Sequence, residues 1–441
     1  MVIKRMSQSD HNFVAQFRQA APYINDFRGK TFVLMFQSEM VHQDRFRHLA
    51  QDIAMLNSLG IRIVLVPATR NHIDSLLKQR HIATEYVEGV RLTSDEILPV
   101  VKETNGIVRA EIEAALSMNF SNTPTSHGKV TAYSGNFVIA KPVGIHNGID
   151  FQHTGHVRRV DTLAIQHIHD KGGIAIVSPL GYSSTGEVFN LTAFEVATTI
   201  ASALNAEKLI FLVPEDLDAA LPRQLSPASA KSLLDKQPQT FTKTIAEHLH
   251  WARKACTQGV TRTHLVPDNI DGGILLELFT RDGVASMVSA TPYEQLRAAT
   301  LDDIVGILEL ITPLEQAGTL IPRGREYLER DLDDYLVMER DGAIIGCAAL
   351  HRYPDHSMAE LASIAVHTDY RKNRRGHHLL EQVEQQAKQL GIKTLFVLTT
   401  QTTHWFQEHG FEPRTIEDLP MQKQKLYNYQ RKSKVLMKTL L

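Results

Sequence analysis

The sequence predicts an α/β protein built from more than one domain, on three observations. Strand-like and helix-like runs alternate through the first half of the chain. A second series of strands and helices begins near residue 296. Between Ser363 and Leu379 a β-branched run passes through a basic loop into a helical pattern. At 441 residues the chain is too long for one ordinary core, so two or three domains are expected. We expect an open, mostly parallel sheet sandwiched by helices over 1–288, a linker at 289–295 and an α+β domain over 296–441.

The first half is read in order. A helical segment from Asn12 is expected to end near Pro22-Tyr23-Ile24, before a strand over Thr31 to Phe36. Phe46, Leu49, Ile53, Leu56 and Leu59 recur at helical spacing and stop at Gly60. Ile61 to Val66 reads as a second strand, and Ile73, Leu76 and Leu77 mark the next helix. Val130 to Val160 has short β-like runs and several glycines, which suits hairpins. The alternation resumes with strands at Gly173–Ser178 and Lys208–Val213 around a helix from about Thr192. Such alternation argues for a mostly parallel sheet.

Val288 to Glu294 loses the periodic pattern, and the linker is placed there. Thr300 or Asp302 would cap a helix carrying Ile304, Ile307, Leu308 and Ile311. Strands at Tyr335–Glu339 and Ala343–His351 are joined by the hairpin signal Arg340-Asp341-Gly342. Another strand runs from about Glu360 to His367. The basic loop follows, then a helix with Leu379, Leu380, Val383, Ala387 and Leu390, closed by Gly391. Thr394 to Thr400 is the next strand. A loop opening a helix offers backbone N–H groups with no partner inside that helix, which favours an anion. Arg371, Lys372, Arg374 and Arg375 add positive charge there, and Gly376, His377 and His378 begin the helix. The bland alternative is a solvated basic turn.

Composition excludes some classes of function. A net charge of -2 gives no reason to expect nucleic acid or an acidic membrane as partner. Two cysteines, Cys256 and Cys347, make no disulfide framework and fit a reducing compartment. Met1 to Asp10 has no apolar core of a signal peptide, and no run approaches a membrane span. A cytoplasmic location is therefore expected. Among 21 histidines, His167-x-His169 and His248-x-His250 lack a cysteine or carboxylate at metal-site spacing, so no metal is expected.

The basic loop resembles the acetyl-CoA pyrophosphate loop of GNAT acetyltransferases, Q/R-x-x-G-x-G/A. Arg371 fills the first position and Gly376 the last, with Arg374 in place of the middle glycine. Arg297-Ala298-Ala299-Thr300-Leu301-Asp302-Asp303-Ile304 resembles the opening of such domains. The first half resembles the amino-acid kinase fold, and more closely its version in bacterial N-acetylglutamate synthases. The phrases are Pro22-Tyr23-Ile24, Arg28-Gly29-Lys30-Thr31, Leu59-Gly60-Ile61-Arg62, Ser134-Gly135-Asn136-Phe137, Ala206-Glu207-Lys208-Leu209 and Leu278-Phe279-Thr280-Arg281-Asp282-Gly283. Leu398-Thr399-Thr400, His404-Trp405-Phe406 and the tail from Leu426 to Leu436 resemble the same family.

The resemblance implies an enzyme that transfers acetyl from acetyl-CoA to the α-amine of L-glutamate, the first step of arginine synthesis. It implies acetyl-CoA as co-substrate, no tightly bound cofactor, L-arginine as inhibitor, and a ring-like homo-oligomer, a hexamer. For acetyl-CoA we expect Ile364, Ala365 and Val366 along a splayed strand, with Arg371, Lys372, Arg374, Arg375, Gly376 and His377 at the phosphates. Arg323 and Arg431 would hold the two glutamate carboxylates, with Ser433 as neutral donor and Arg325 and Lys434 in reserve. Glu360 is the candidate base, its alternative reading being a strand-end charge. Thr400 is the hydroxyl candidate for the acid, since Phe406 stands where many GNAT enzymes have tyrosine. Tyr23, Lys208, His264, Glu277 and Gly283 would surround allosteric arginine.

Two other readings stay open. One is an acetylglutamate or amino-acid kinase with an accessory GNAT domain. Against it, Phe36-Gln37-Ser38-Glu39 and Pro67-Ala68-Thr69-Arg70 lack the glycines that admit a phosphate. The other is an arginine sensor that has lost catalysis. An acetyl-cysteine route through Cys347 is disfavoured by its apolar strand.

Overall fold

The structure is a computed structural model that describes residues 8–118, 130–214, 221–236, 241–280, 282–291, 294–340, 342–353, 355, 357–371 and 374–440. The chain divides into two compact units, Met1–Thr291 and Pro292–Leu441.

Strands of the first unit's main sheet are β1 (Thr31–Gln37), β2 (Arg62–Ala68), β3 (Ala132–Ser134), β4 (Ile174–Ile176), β5 (Lys208–Val213), β6 (Gln224–Leu225), β7 (Arg262–Pro267) and β8 (Ser286–Ser289). Their spatial order is β6-β8-β7-β5-β1-β2-β4-β3, parallel except for the β7–β8 pair. The central strands read as unbroken apolar runs because both faces are covered. Val33, Met35, Val64 and Val66 face one core, while Phe32, Leu34, Phe36, Ile63 and Leu65 face the other. A four-stranded side sheet takes up Val138–Pro142, Gly155–Val160, Leu180–Tyr182 and Val188–Asn190. Helices over Ile97–Leu116 and Lys243–Thr257 complete the layers; neither was anticipated.

Pro22 does not end the first helix, which runs through it from Gln8 to Phe27. The helix is held beyond the proline by tertiary packing: Phe27 is buried, with its ring edge-on to Phe32 at 5.3 Å. The expected linker also needs correction. Ser289 belongs to β8, which is wholly buried and pairs with β7 through Met287 and His264. Glu294 and Gln295 belong to β9 (Glu294–Ala298) of the second unit. Serines and glutamates carry no apolar period, but their backbone pairs all the same. Pro292 and Tyr293 lie outside the described residues.

The second unit is one sheet of seven strands. These are β9, β10 (Tyr335–Arg340), β11 (Ala343–Tyr353), β12 (Met358–Val366), β13 (Thr394–Thr399), β14 (Glu412–Arg414) and β15 (Lys434–Thr439), in the order β9-β10-β11-β12-β13-β15-β14. Asp341 of the expected hairpin lies outside the described residues. The helix Ile304–Gln316 contributes Ile304, Ile307, Leu310 and Ile311 to one core. The helix Arg375–Gln389 contributes Leu379, Leu380, Val383 and Ala387 to another. Thr300 caps the start of the domain reciprocally with Asp303.

Two irregularities shape the centre of that sheet. β12 and β13 pair in parallel only from Met358 to Glu360, against Thr394 to Phe396. Beyond Glu360 they diverge. On the other side of β12 the register with β11 slips between Cys347 and Ala349, which face Ala365 and Ala362. The extra residue makes a bulge, and Ser363 within it has a left-handed φ of 49°. A bulge bends a strand and raises its local twist.

Candidate functional site

The gap between β12 and β13 is a cavity of 720 Å³. Leu361 to Val366 line one side and Val397 to Thr399 the other. Ile364, Ala365 and Val366 therefore stand where a splayed strand was expected. Arg323, Glu360, Arg371, Arg374, Gly376, His377, Arg431 and Ser433 line the same cavity. From Glu360 to Val366 the strand covers about 20 Å, at roughly 3.3 Å per residue. That length separates the carboxylate from the basic loop beyond Val366.

At the loop, Arg374 takes a left-handed conformation, φ 56°, and its carbonyl accepts the first helical bond, from His378 N–H. The N–H groups of Arg375, Gly376 and His377 fall in the first turn, where a helix supplies no partner. Arg371 and Arg374 are exposed at the cavity. The fold does not itself demand glycine at 376. A Cβ there would meet Trp405 at 3.5 Å, an ordinary contact, so the open face is free for a ligand. His377 lies 3.1 Å from Glu381 through Nε2. Trp405 and His409 pack beside it, their ring centroids 4.4 Å apart. Lys372 lies outside the described residues.

Arg375 is a correction. Its side chain is buried and turned to Glu294, to which Nε donates at 2.8 Å and Nη2 also donates. Nη1 donates to the Tyr370 carbonyl at 3.2 Å. The guanidinium ties β9 to the start of the helix, and only its backbone remains for an anion. In sequence it is one basic residue among four, with nothing to mark its carboxylate partner 81 residues away.

At the other end Glu360 is buried, and Lys423 Nζ donates to its Oε2 at 2.6 Å. Lys423 was not anticipated. It comes from a short helix, Met421–Lys425, that has no periodic signal. Arg323 Nη1 donates to the Tyr335 hydroxyl at 2.9 Å and to His351 Nε2 at 3.0 Å. Burial works against the Arg323 charge, but Tyr335, Tyr327 and Glu360 outweigh it and keep its pKa above the ordinary value. Arg431 Nη2 donates to the carbonyls of Gly318 and Thr319, while its Nε is buried with no hydrogen-bond partner. Burial lowers the Arg431 pKa. Of the reserves, Arg325 pairs with Glu329 and Lys434 is exposed; neither lines the cavity.

Thr400 is a second correction. Its hydroxyl is buried without a partner and does not line the cavity, whereas its neighbour Thr399 does, bonded to Thr402 at 2.9 Å. Thr400 lies just past the end of β13, in a bend. Cys347 is fully buried and its thiol is pushed up to about 12 by burial, which removes it as a nucleophile.

In the first unit, His264 Nδ1 lies 2.6 Å from Glu277 Oε1, and Lys208 Nζ lies 3.5 Å from His264 Nε2. Glu277 Oε2 accepts from the backbone N–H groups of Val284 and Ala285, at 2.8 and 2.9 Å. Burial and Lys208 hold His264 below its ordinary pKa. Burial would raise Glu277, but the bonds from His264 and the two amides outweigh it and lower its pKa. The pair is thus a neutral imidazole donating to a carboxylate. Gly283, at φ 60°, is required here: a Cβ would fall 2.1 Å from Glu277 Oε2. Tyr23 packs on the adjoining core, 6.1 Å from the Phe27 ring, over which Lys208 lies at 5.0 Å. The five expected residues share one neighbourhood. Both oxygens of Glu277 are already engaged, by His264 and by the two amides.

A second cavity of 280 Å³, at the ends of β1 and β2, includes Gln37, Thr69, Arg70, Asn71, Arg91 and Asn190. No group of three or more His, Cys, Asp or Glu able to hold a metal occurs among the described residues. None of the described helices is long and apolar enough to cross a membrane.

Comparison with known proteins follows this division. Residues 30–266 match the amino acid kinase family and residues 304–411 the acetyltransferase (GNAT) family. An amino-acid acetyltransferase of Ralstonia nicotianae is 47% identical over 432 residues, 97% of this chain and 95% of that protein. One from Yersinia enterocolitica is 44% identical over 441 residues, 99% of this chain and 100% of its own. Among solved structures, N-acetylglutamate synthase from Neisseria gonorrhoeae complexed with coenzyme A and L-arginine is 34% identical. It covers 97% of this chain and 99% of its own with a TM-score of 0.88. The same enzyme complexed with coenzyme A and N-acetyl-glutamate gives a TM-score of 0.62 at the same coverage.

Proposed function

The chain belongs to the amino-acid acetyltransferase family, and we propose that it transfers the acetyl group of acetyl-CoA to the α-amine of L-glutamate. The observation that carries this reading is the single cavity with a cationic helix start at one end of β12 and a carboxylate with two arginines at the other. Acetyl-CoA would lie along β12. Its pyrophosphate would meet the N–H groups of Arg375, Gly376 and His377 and the side chains of Arg371 and Arg374. The acyl arm would follow Ile364 to Val366. The two glutamate carboxylates would bind Arg323 and Arg431, with Ser433 as a neutral donor. The unpartnered Arg431 Nε supports this, because a buried N–H left unpaired is costly.

In the reaction the α-ammonium loses a proton to Glu360, directly or through a water. The amine nitrogen then attacks the thioester carbon, and the tetrahedral adduct collapses to an amide and the coenzyme A thiolate as its nitrogen gives up the second proton to solvent or to the departing sulfur. Lys423 holds one oxygen of Glu360. A thiolate is a tolerable leaving group, its conjugate acid having a pKa near 8.5, so the scheme does not depend on Thr400.

We extend the reading to regulation and assembly. L-Arginine would bind at Tyr23, Lys208, His264, Glu277 and Gly283 and inhibit, as befits a first step of arginine synthesis. Its guanidinium would share the lone pairs of Glu277 that His264 and the amides leave over. The Neisseria enzyme's complex with L-arginine supports an arginine site in this family. Six copies would form the working assembly. Phe13 and Phe17, stacked and exposed on the first helix, give an apolar face for a neighbour.

The test is acetyl-CoA consumption by purified protein against a panel of amino acids, with and without arginine. Glutamate is expected to be the preferred acceptor and arginine to slow the reaction. No acetyl transfer to glutamate sinks the proposal. ATP turnover with acetylglutamate would instead restore the kinase reading.

A further inference from the structure

Behind Arg323 stands a line of polar groups that nothing so far has used. His351 Nδ1 is 2.8 Å from Asp334 Oδ2, and His351 Nε2 is 3.0 Å from Arg323 Nη1. The Tyr335 hydroxyl is 2.9 Å from the same Nη1 and 3.2 Å from Ser363 Oγ. We propose that His351, oriented by Asp334, is a positioning residue that sets the plane of the Arg323 guanidinium and so presents it to an acceptor carboxylate. The inference rests on the reading of Arg323 as a glutamate-binding group.

Donor and acceptor chemistry allows one arrangement along this line. An arginine only donates, so His351 Nε2 must offer a lone pair. An ionised carboxylate only accepts, so His351 Nδ1 must carry the proton. Both neighbours therefore demand the same neutral tautomer. Arg323 Nη1 has two N–H bonds, and His351 and the Tyr335 oxygen accept one each. The Tyr335 proton then turns to Ser363 Oγ. With Nη1 saturated, Nε and Nη2 remain as the edge that matches a carboxylate in bidentate fashion, on a side chain that lines the cavity. The geometry is braced further by Glu315, whose Oε1 accepts from the Arg323 backbone N–H at 2.8 Å.

The placement follows from register. His351 on β11 pairs directly with Glu360 on β12, so both side chains rise from the same face of the sheet. Ser363 at the far end of the line sits in the bulge of β12 against β11, three residues beyond the last pair with β13 at Glu360. The dicarboxylate site is thereby fixed to the strand that also carries the candidate base and the acyl channel.

The test compares wild type with His351→Leu and His351→Gln in full steady-state kinetics for both substrates, with thermal unfolding alongside. Leucine removes the acceptor; glutamine returns an amide oxygen near the position of Nε2. His351→Leu is expected to raise the KM for glutamate roughly tenfold, the worth of one charge-assisted hydrogen bond, with the KM for acetyl-CoA unchanged. His351→Gln is expected to recover most of that rise. An unchanged glutamate KM in His351→Leu overturns the inference, as does a fall in kcat alone, which would make His351 a proton carrier. A rise in both KM values that glutamine fails to rescue also overturns it. If wild type does not acetylate glutamate, the functional reading fails, and this inference fails with it; if wild type is active, only the inference is on trial.

Discussion

Buried Glu360 and half-buried Lys423 form an ion pair whose carboxylate lines the cavity. As a base, Glu360 should be worth the usual contribution of a positioned proton acceptor. Glu360→Gln is expected to lower kcat about 10²–10⁴-fold, with the KM for acetyl-CoA little changed, in a stopped or continuous thiol-release assay. Retained kcat would assign the carboxylate to the bland role of a strand-end charge. Arg431 makes a different prediction. Arg431→Ala removes a charge-assisted bond and should raise the glutamate KM by about 1.5–3 kcal/mol of binding, measured on the same assay. Glu360, Arg323 and Arg431 were legible in the sequence as candidates, through family likeness, and all three line the cavity. Lys423, His351 and Asp334 were not, because a lysine on an aperiodic helix or a histidine in a strand carries no mark of its partner.

At the scale of elements, the loop-to-helix turn and the first helix of the GNAT domain each give a measurable outcome. Gly376→Ala adds a methyl that the protein accommodates at ordinary contact with Trp405. Stability should therefore change by less than about 1 kcal/mol, while the KM for acetyl-CoA rises. Equal KM values in the two proteins would move the pyrophosphate elsewhere. Asp303 answers to pH. The Arg297 guanidinium, with the amide and hydroxyl of Thr300, holds its carboxyl down at about 2, against the opposition of burial. A carboxyl with a folded pKa below its unfolded value stabilises above the unfolded pKa, about 3.9, and loses that contribution as pH falls towards the folded value. Asp303→Asn is thus expected to cost about 1–2 kcal/mol at pH 7, and the difference from wild type should shrink between pH 4 and 2 in denaturant unfolding. The helices that frame these turns were legible from their 3.6-residue period. The strands β8 and β9 were not, since Ser286–Ser289 and Glu294–Ala298 show no alternation and are placed by pairing with strands distant in the chain.

For the whole molecule, the prediction concerns two sites in two units. Gly283→Ala puts a methyl into the space of the Glu277 carboxylate. It is expected to abolish inhibition by arginine while basal acetyl transfer persists, read from rate against arginine concentration. Persistent inhibition would place the arginine site away from Glu277. If arginine couples to substrate binding, linkage requires that saturating substrates weaken arginine binding by the same factor, a reciprocity that calorimetry can measure.

The sequence by itself determined the division into two units, the α/β class of the first, and the strand–basic loop–helix of the second, with the basic and acidic residues that become candidates for a site. These are local matters: period, turn chemistry and motif are written in neighbouring residues. Only the tertiary structure decided that the Arg375 side chain serves Glu294 rather than an anion, that Thr399 rather than Thr400 meets the cavity, and that β12 parts from β13 beyond Glu360. Each of those depends on a partner strand or a residue far along the chain. Burial and register, which assign a side chain its face and its partner, exist only once the sheet has closed.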